Sequence, residues 1–381
     1  MTFLTSIIIG LCMGSGILFS MYFGAKKYEK MKISFFVSFV SIGILSVVLE
    51  MICFLLLNHI LVWLQIPQVI YNQTAKYLQI IFIGIIFTFI YNYFAAMLRA
   101  LGNSKIPLIF LGIATIVNVV LDIVFVLYVH LGVAGAAYAT IISQAISAFG
   151  LALYVLLFKK EILPQRKHYI FDQHIFKKLK DYSLMTCLQQ GIMNFGILMI
   201  QGLVNSFGIA VMSAFSAAVK IDSFAYMPVQ DFGNAFSTFV AQNKGANEEK
   251  RIQDGLKIAS LMALVFCIFI SLGVCIFSKE LMMLFVSKMN IIKIGMVYLR
   301  VEGSFYIGIG CLFLLYGYYR GVGKMKMSLI LTIVSLGTRV LLAYLLAPLF
   351  GVEMIWWAIV IGWILADTIG IVYGIKVEKW Y

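Results

Sequence analysis

RALGNSKIPLIFLGIATIVNVVLDIVFVLYVHLGVAGAAYATIISQ, residues 99–144, holds a basic glycine-containing turn, an apolar run, a Gly-Val-Ala-Gly turn and the start of a second apolar run. Runs of this kind, near the roughly 20 apolar residues that carry a helix across a hydrocarbon layer, predict two membrane helices joined by a tight turn. The stretch contains one carboxylate, Asp122, in the middle of hydrophobic sequence. Charge is costly in lipid, so an intramembrane carboxylate by default marks an ion or substrate path rather than a packing position.

The same texture covers the whole chain. Of its 381 residues, 62% are hydrophobic and only 12% charged, more apolar surface than a water-soluble domain can hide. Eleven runs are long enough to span: 2–23, 33–57, 78–98, 106–128, 133–157, 182–206, 209–242, 255–278, 297–319, 327–349 and 353–374. The chain is therefore expected to be an all-α polytopic membrane protein, in contact with membrane lipid. The first run is too long for a signal-peptide core and has no small-residue cleavage site, so it reads as a span. The net charge of +13 does not point to nucleic acid, because of where it lies. About 22 of the 29 basic residues fall in alternate connections, among them Lys26, Lys27, Arg99, Lys105, Lys159, Arg166, Lys244, Arg251, Arg320, Lys324 and, near the end, Lys376 and Lys379. The positive-inside rule makes that side cytoplasmic and puts the C-terminus there. The six cysteines, in or beside apolar runs without CxxC spacing, read as small buried hydrophobes. The four histidines lie near or outside the ends of the runs. No cofactor is expected, and the lack of His or Cys clusters or a nucleophile–base pair argues against an intramembrane enzyme.

A shift of 221 residues brings the chain onto itself. Gly24-Ala25 falls on Gly245-Ala246, Tyr77-Leu78 on Tyr298-Leu299, and Arg99, Gly102 and Lys105 on Arg320, Gly323 and Lys326. Such a register, constant across turns and spans, reads as two copies of one helical unit, a common transporter plan. The expected organisation is an N-terminal lobe over 1–158 with five spans, a cytoplasmic linker over 159–180, and a C-terminal lobe over 181–381 with six. The counterpart of 182–206 would precede Met1, so about eleven of twelve helices are expected, with the first missing.

Polar residues inside the spans give the candidate site. Asn118 and Asp122 are four apart and share one helix face; Thr140 lies on the next helix, and Gln144 continues its stripe. An amide, a carboxylate and a hydroxyl together can form an oxygen-rich site for a hard monovalent cation, or Asp122 alone can carry a proton. Neutral glue between helices is the competing reading, although glue is usually Ser, Thr or Asn rather than Asp. The matching positions of the second copy are Arg339 and Ala343, so a carboxylate at this place is expected only in the first lobe. Gln190, Asn194, Gln201 and Asn205 form a polar stripe along 182–206, facing protein or a wet cavity. In the next span Lys220 and Asp231, eleven apart, share a face, which suggests a structural ion pair, and Pro228 suggests a kink. Gln144, Gln190, Asn194, Gln201 and Asp231 are the candidates for lining a substrate path. Glu50 and Asp367 are further single intramembrane carboxylates.

FGAKKYEK after the first span, LRALGNSKIPLI, NVVLD, LGVAGAAYATIISQ, VNSFG and FSTFVAQNKGANEEK together resemble the multidrug and toxic compound extrusion (MATE) family over nearly the whole chain. The resemblance implies twelve helices in two lobes around a V-shaped cavity. It also implies export of organic, often cationic, compounds in exchange for Na⁺ or H⁺, with Asn118, Asp122 and Thr140 as the cation site of the first lobe. The family's first-helix aspartate has no counterpart here, and CLQQGIMNFG lacks the seventh-helix glutamate of some members. The expected protein is a monomeric secondary exporter of the bacterial inner membrane that takes a small organic substrate. Two alternatives stand beside it: a membrane-inserted remnant without activity, and a flippase for lipid-linked polysaccharide.

Overall fold

The computed structural model describes residues 2–63, 68–378 and 380. Lys379, counted above among the cytoplasmic cations, lies outside them. The described residues form α1 (Thr2–Gly24), α2 (Tyr28–Leu55), α3 (Leu57–Trp63), α4 (Gln68–Ala100), α5 (Lys105–Ile123), α6 (Gly132–Phe158), α7 (Gln173–Ser206), α8 (Ile209–Gly245), α9 (Glu249–Ile276), α10 (Ser278–Met283), α11 (Met289–Gly303), α12 (Tyr306–Gly321), α13 (Met325–Phe350) and α14 (Glu353–Val377). Among these, ten helices are long and apolar enough to cross a membrane, or eleven if α11 and α12 count as one span. An all-helical membrane fold follows from the sequence: the backbone of a lipid-immersed segment can satisfy its polar groups internally only as a helix or a closed barrel.

The turns show how the basic connections are built. At the ends of α1, α4, α8 and α12, Lys26, Gly102, Asn247 and Gly323 take positive φ of 54°, 83°, 59° and 84°. Each turn closes with a bond from the following residue back five positions, for example Asn103 N to Leu98 O at 2.9 Å and Lys324 N to Tyr319 O at 2.8 Å. This is the Schellman arrangement, in which a left-handed residue lets the last carbonyls of a helix find donors. Lys26 and Asn247, like Gly102 and Gly323, stand 221 residues apart.

The chain divides into two compact units, one ending at Cys187 and the other starting at Leu188, so α7 contributes a half to each. In the first unit, glycines on α1 seat it against α7. A Cβ on Gly14 would stand 2.5 Å from Ser183 Cα, and beside it Ser15 and Ser183 share a hydroxyl hydrogen bond of 3.0 Å. Tyr93 of α4 donates to Phe35 O of α2 at 2.7 Å. The segment before α7 is fastened to the start of α2. His168, 1% exposed, accepts the Gln165 N–H on Nδ1 at 2.9 Å and turns Nε2 to Glu29 Oε2 at 2.9 Å.

In the second unit α8 and α12 cross at contact distance, because a Cβ on Gly317 would run into Gly233 O. Arg320 is buried; its Nη2 donates to Asn234 Oδ1 at 2.9 Å. Its counterpart Arg99 is exposed. The RxxGxxK turns therefore differ in use, and in the second unit the arginine ties α12 to α8.

One span departs from expectation. The run 297–319 is not a single straight helix: α11 and α12 meet at a 52° bend. The cause is local. Ser304 Oγ donates to Arg300 O at 2.7 Å, Phe305 N turns to Glu302 O at 3.0 Å, and Gly303 precedes them. Serine back-bonding next to glycine is a recognised cause of a helix bend.

Candidate functional site

In the first unit the predicted residues lie on adjacent packed helices. Asn118 and Asp122 occupy one face of α5, one turn apart, and both are half-buried. Asn118 Nδ2 and Asp122 Oδ1 are closed off from solvent and have no hydrogen-bond partner among the described residues. Directly after Asp122, residues Val124–Tyr128 wind into a π-helix, a wide turn that is rare elsewhere and frequent at functional sites. Thr140 on α6 donates its hydroxyl to Ala136 O at 2.9 Å, inside its own helix. That leaves the Thr140 oxygen able to accept or coordinate. Gln144, one turn on, rests its Oε1 against Gly84 of α4, where a Cβ would be 2.7 Å away. The donor set suits a small monovalent cation or a proton: a carboxylate oxygen without a partner, an amide on the same face, and a hydroxyl on the helix packed alongside. Metal dications, which want more carboxylates, are poorly served.

Two bonds of the stripe on α7 run within the helix. Asn194 Nδ2 donates to Gln190 O at 3.0 Å, and Gln201 Nε2 to Asn205 Oδ1 at 2.8 Å. Gln189, one position off the predicted stripe, ties this helix to α13. Its Nε2 donates to Thr332 Oγ1 at 3.0 Å, and its Oε1 accepts from Ser328 Oγ at 3.1 Å. Lys220 and Asp231 are both exposed and, among the described residues, make no ion pair with each other. The expected pairing fails because eleven residues of helix separate the two by about 16 Å along the axis, while Asp222, two residues from Lys220, is buried.

Asp222 belongs to a group that sequence spacing did not assemble. It lies near the hydroxyls of Tyr298 and Tyr306 and within electrostatic reach of Arg339; Glu302 is within reach of Asp222 and Arg339 and accepts from Tyr298 Oη at 3.0 Å, while among the described residues Arg339 makes no ion pair with either carboxylate. Aromatic rings enclose it: Trp356 stacks on Phe215 at 5.5 Å and meets Tyr298 edge-on at 4.8 Å. Among the described residues, Asp222 Oδ1, Glu302 Oε1, Tyr306 Oη, Arg339 Nε and Trp356 Nε1 all lack hydrogen-bond partners. The position matching Asp122 is indeed Ala343, but the second unit brings in two carboxylates from other helices. The available signal was Arg339: a guanidinium in an apolar span demands acidic company.

A cavity of about 650 Å³ in the second unit lies elsewhere, between α9, α12 and α14, lined by Leu256, Leu261, Leu264, Leu314 and Leu315 with Lys257. Neither the Asp122 group nor the Asp222 group lines it.

A family model described as MatE matches residues 1–124 and 182–345. The probable multidrug resistance protein YpnP of Bacillus subtilis is 33% identical over 288 residues, 74% of this chain and 63% of that protein. The chain thus spans less than two thirds of that relative's length. The multidrug export protein MepA of Staphylococcus haemolyticus is 22% identical, covering 91% of this chain and 77% of its own. Among solved structures, the Vibrio cholerae MATE transporter VcmN in its bent form superposes with a TM-score of 0.90 at 21% identity, covering 99% of this chain and 86% of that one. At that identity the likeness is one of fold.

Proposed function

Because this chain belongs to the MatE family, we propose that it exports small organic compounds, often cationic, in exchange for Na⁺ or H⁺ that binds at Asp122. The relatives named as multidrug resistance and export proteins support the substrate class. The coupling assignment rests chiefly on one observation: Asp122 Oδ1 and Asn118 Nδ2 are buried on one helix face without partners among the described residues. A carboxylate in that state is costly until a cation or proton neutralises it. Binding the ion favours one conformation of the lobe and loss of the ion favours the other, which is how a gradient drives alternating access. Asn118 and Thr140 complete the oxygen set, while Gln144, Gln190, Asn194, Gln201 and Asp231 are the candidates along the substrate path. The protein works as a monomer in the inner membrane with its C-terminus in the cytoplasm. The test is efflux of a fluorescent organic cation from proteoliposomes under imposed Na⁺ or H⁺ gradients. Asp122→Asn should lose gradient-driven efflux at wild-type protein levels, and unchanged efflux would sink the assignment.

A further inference from the structure

The second unit holds two carboxylates and one guanidinium at membrane depth. Asp222 comes from α8, Glu302 from α11 and Arg339 from α13, with Tyr298 on α11 and Tyr306 on α12 against them. The other titratable groups that face them are Tyr226 on α8 and Cys275 on α9; α14 contributes Trp356, which does not titrate. Asp222 and Glu302 are 8% and 2% exposed. With every group ionised the cluster carries one uncompensated negative charge in a medium that tolerates none. One bound cation restores neutrality. Several features select a proton over a metal ion. Arg339 already supplies a fixed positive charge that repels a second cation. The cluster's oxygens without a partner among the described residues are only three, Asp222 Oδ1, Glu302 Oε1 and Tyr306 Oη, fewer than a hard metal cation needs. A proton needs one, and the resulting hydroxyl can donate to another.

We propose that Asp222, Glu302 and Arg339 form a one-proton site in the second unit, where the guanidinium offsets the charge of one carboxylate from nearby and the other carboxylate holds the proton. The proton comes from water and forms an O–H bond on a carboxylate oxygen; its release returns the cluster to one net negative charge. The site lies at the 52° bend between α11 and α12, with Glu302 two residues before Ser304 and Tyr306 just after it. Broken membrane helices are where backbone and side chains meet ions. Protonation changes how firmly Arg339 is held across from the bend, so it links proton binding to the bend itself. That purpose rests on the transporter reading above; the protonation does not.

The experiment is infrared difference spectroscopy of the purified full chain in nanodiscs between acid and alkaline pH, following the C=O stretch of a protonated carboxyl. All variants are made on an Asp367→Asn background, so that this other buried carboxylate of α14 does not contribute. The parent should show a carboxylic-acid band at neutral pH. Asp222→Asn and Glu302→Gln should each remove it, because the remaining carboxylate and Arg339 then balance. Arg339→Gln should raise its intensity about two-fold, since two like charges without a countercharge both take protons. Asp122→Asn should leave it in place, which separates failure of this proposal from failure of the coupling assignment. The proposal is overturned by absence of the band in the parent, by its survival in both carboxylate variants, or by its replacement with a carboxylate signal on adding Na⁺. If a carboxylate variant does not fold, Arg339→Gln and the Na⁺ titration still decide.

Discussion

The two units handle intramembrane charge in opposite ways. The first leaves Asp122 half-buried on a helix with mostly exposed apolar flanks, with an amide one turn away and a π-helix behind it. Among the described residues it has no ion-pair partner. The second buries Asp222 and Glu302 among aromatic rings, with Arg339 near enough to act on both through its charge although, among the described residues, it makes an ion pair with neither. A carboxylate with no fixed partner takes its countercharge from solution and gives it back, and so can follow a gradient. Two buried carboxylates with one guanidinium nearby have part of their charge offset within the protein and respond to the charge that is left over. On the two proposals above, the exchangeable ion belongs to the first unit and a retained proton to the second.

The strongest way to break this contrast is to neutralise each site in turn and measure transport. Asp122→Asn should lower gradient-driven efflux by about 5–150-fold, the span of typical coupling free energies of about 1–3 kcal/mol. Glu302→Gln leaves Asp222 and Arg339 balanced and should lower it less. If Glu302→Gln proves the more damaging, the driving ion binds in the second unit and the contrast is reversed.

Both units also place helices by glycine, and here substitutions act on stability. A side chain at Gly233 would meet Phe313 O at 2.5 Å, and one at Gly14 would meet Tyr182 O at 2.5 Å. Backbone cannot move aside cheaply, so Gly14→Leu and Gly233→Leu should each cost about 1–3 kcal/mol or more as overpacking, read as a lower melting temperature in detergent. A larger loss at Gly233 is expected, because Gly317 faces it at the same crossing. Equal losses would mean that both seams are equally tight.

The clasp on the linker belongs to the first unit alone and should be weaker than the seams. His168→Ala leaves the Gln165 N–H without its acceptor, a loss of about 1–3 kcal/mol for a buried donor, with the low end expected because water can reach a linker. Limited proteolysis within 159–172 should then speed up. Unchanged protection would assign the docking to the stack of Tyr169 on Phe36, 4.9 Å apart, rather than to the histidine.

The spans, their order and the basic turns were legible because each rests on local pattern: apolar runs of membrane length, and alternate connections rich in Lys and Arg; that Lys26 and Asn247 take the left-handed conformation came only with the structure. Asn118 and Asp122 were legible because both lie on one helix and their spacing puts them on one face. The Asp222–Glu302–Arg339 cluster was not, because its members come from α8, α11 and α13 and only tertiary packing brings them together. Glu302 sits in VYLRVEGSFY, two residues from Arg300 and near the start of the run 297–319, with no spacing that links it to Asp222 or Arg339. The bend at Ser304 hid for a related reason: composition shows that serine and glycine permit a break, but not that the chain makes one. Lys220 and Asp231 failed as a pair because a shared face does not bring together residues three turns, about 16 Å, apart along a helix.

The smallest expected effects come from glycines with open space around them. Gly112 on α5 and Gly337 on α13 lie on the helices that carry Asp122 and Arg339. A Cβ added at either would find nothing within 4 Å among the described residues. With no clash to offset it, Gly→Ala should gain helix stability of about 0.5–1 kcal/mol at each, through the lower backbone entropy of the unfolded chain. Gly112→Ala should therefore raise the melting temperature slightly and leave efflux unchanged. Gly337→Ala sharpens the comparison, because Gly337 stands two residues from Arg339. If the second unit holds its guanidinium in one place, this variant too is more stable and equally active. If it is more stable but slower, α13 flexes beside Arg339 during transport, and the second unit's counter-ion is a moving part.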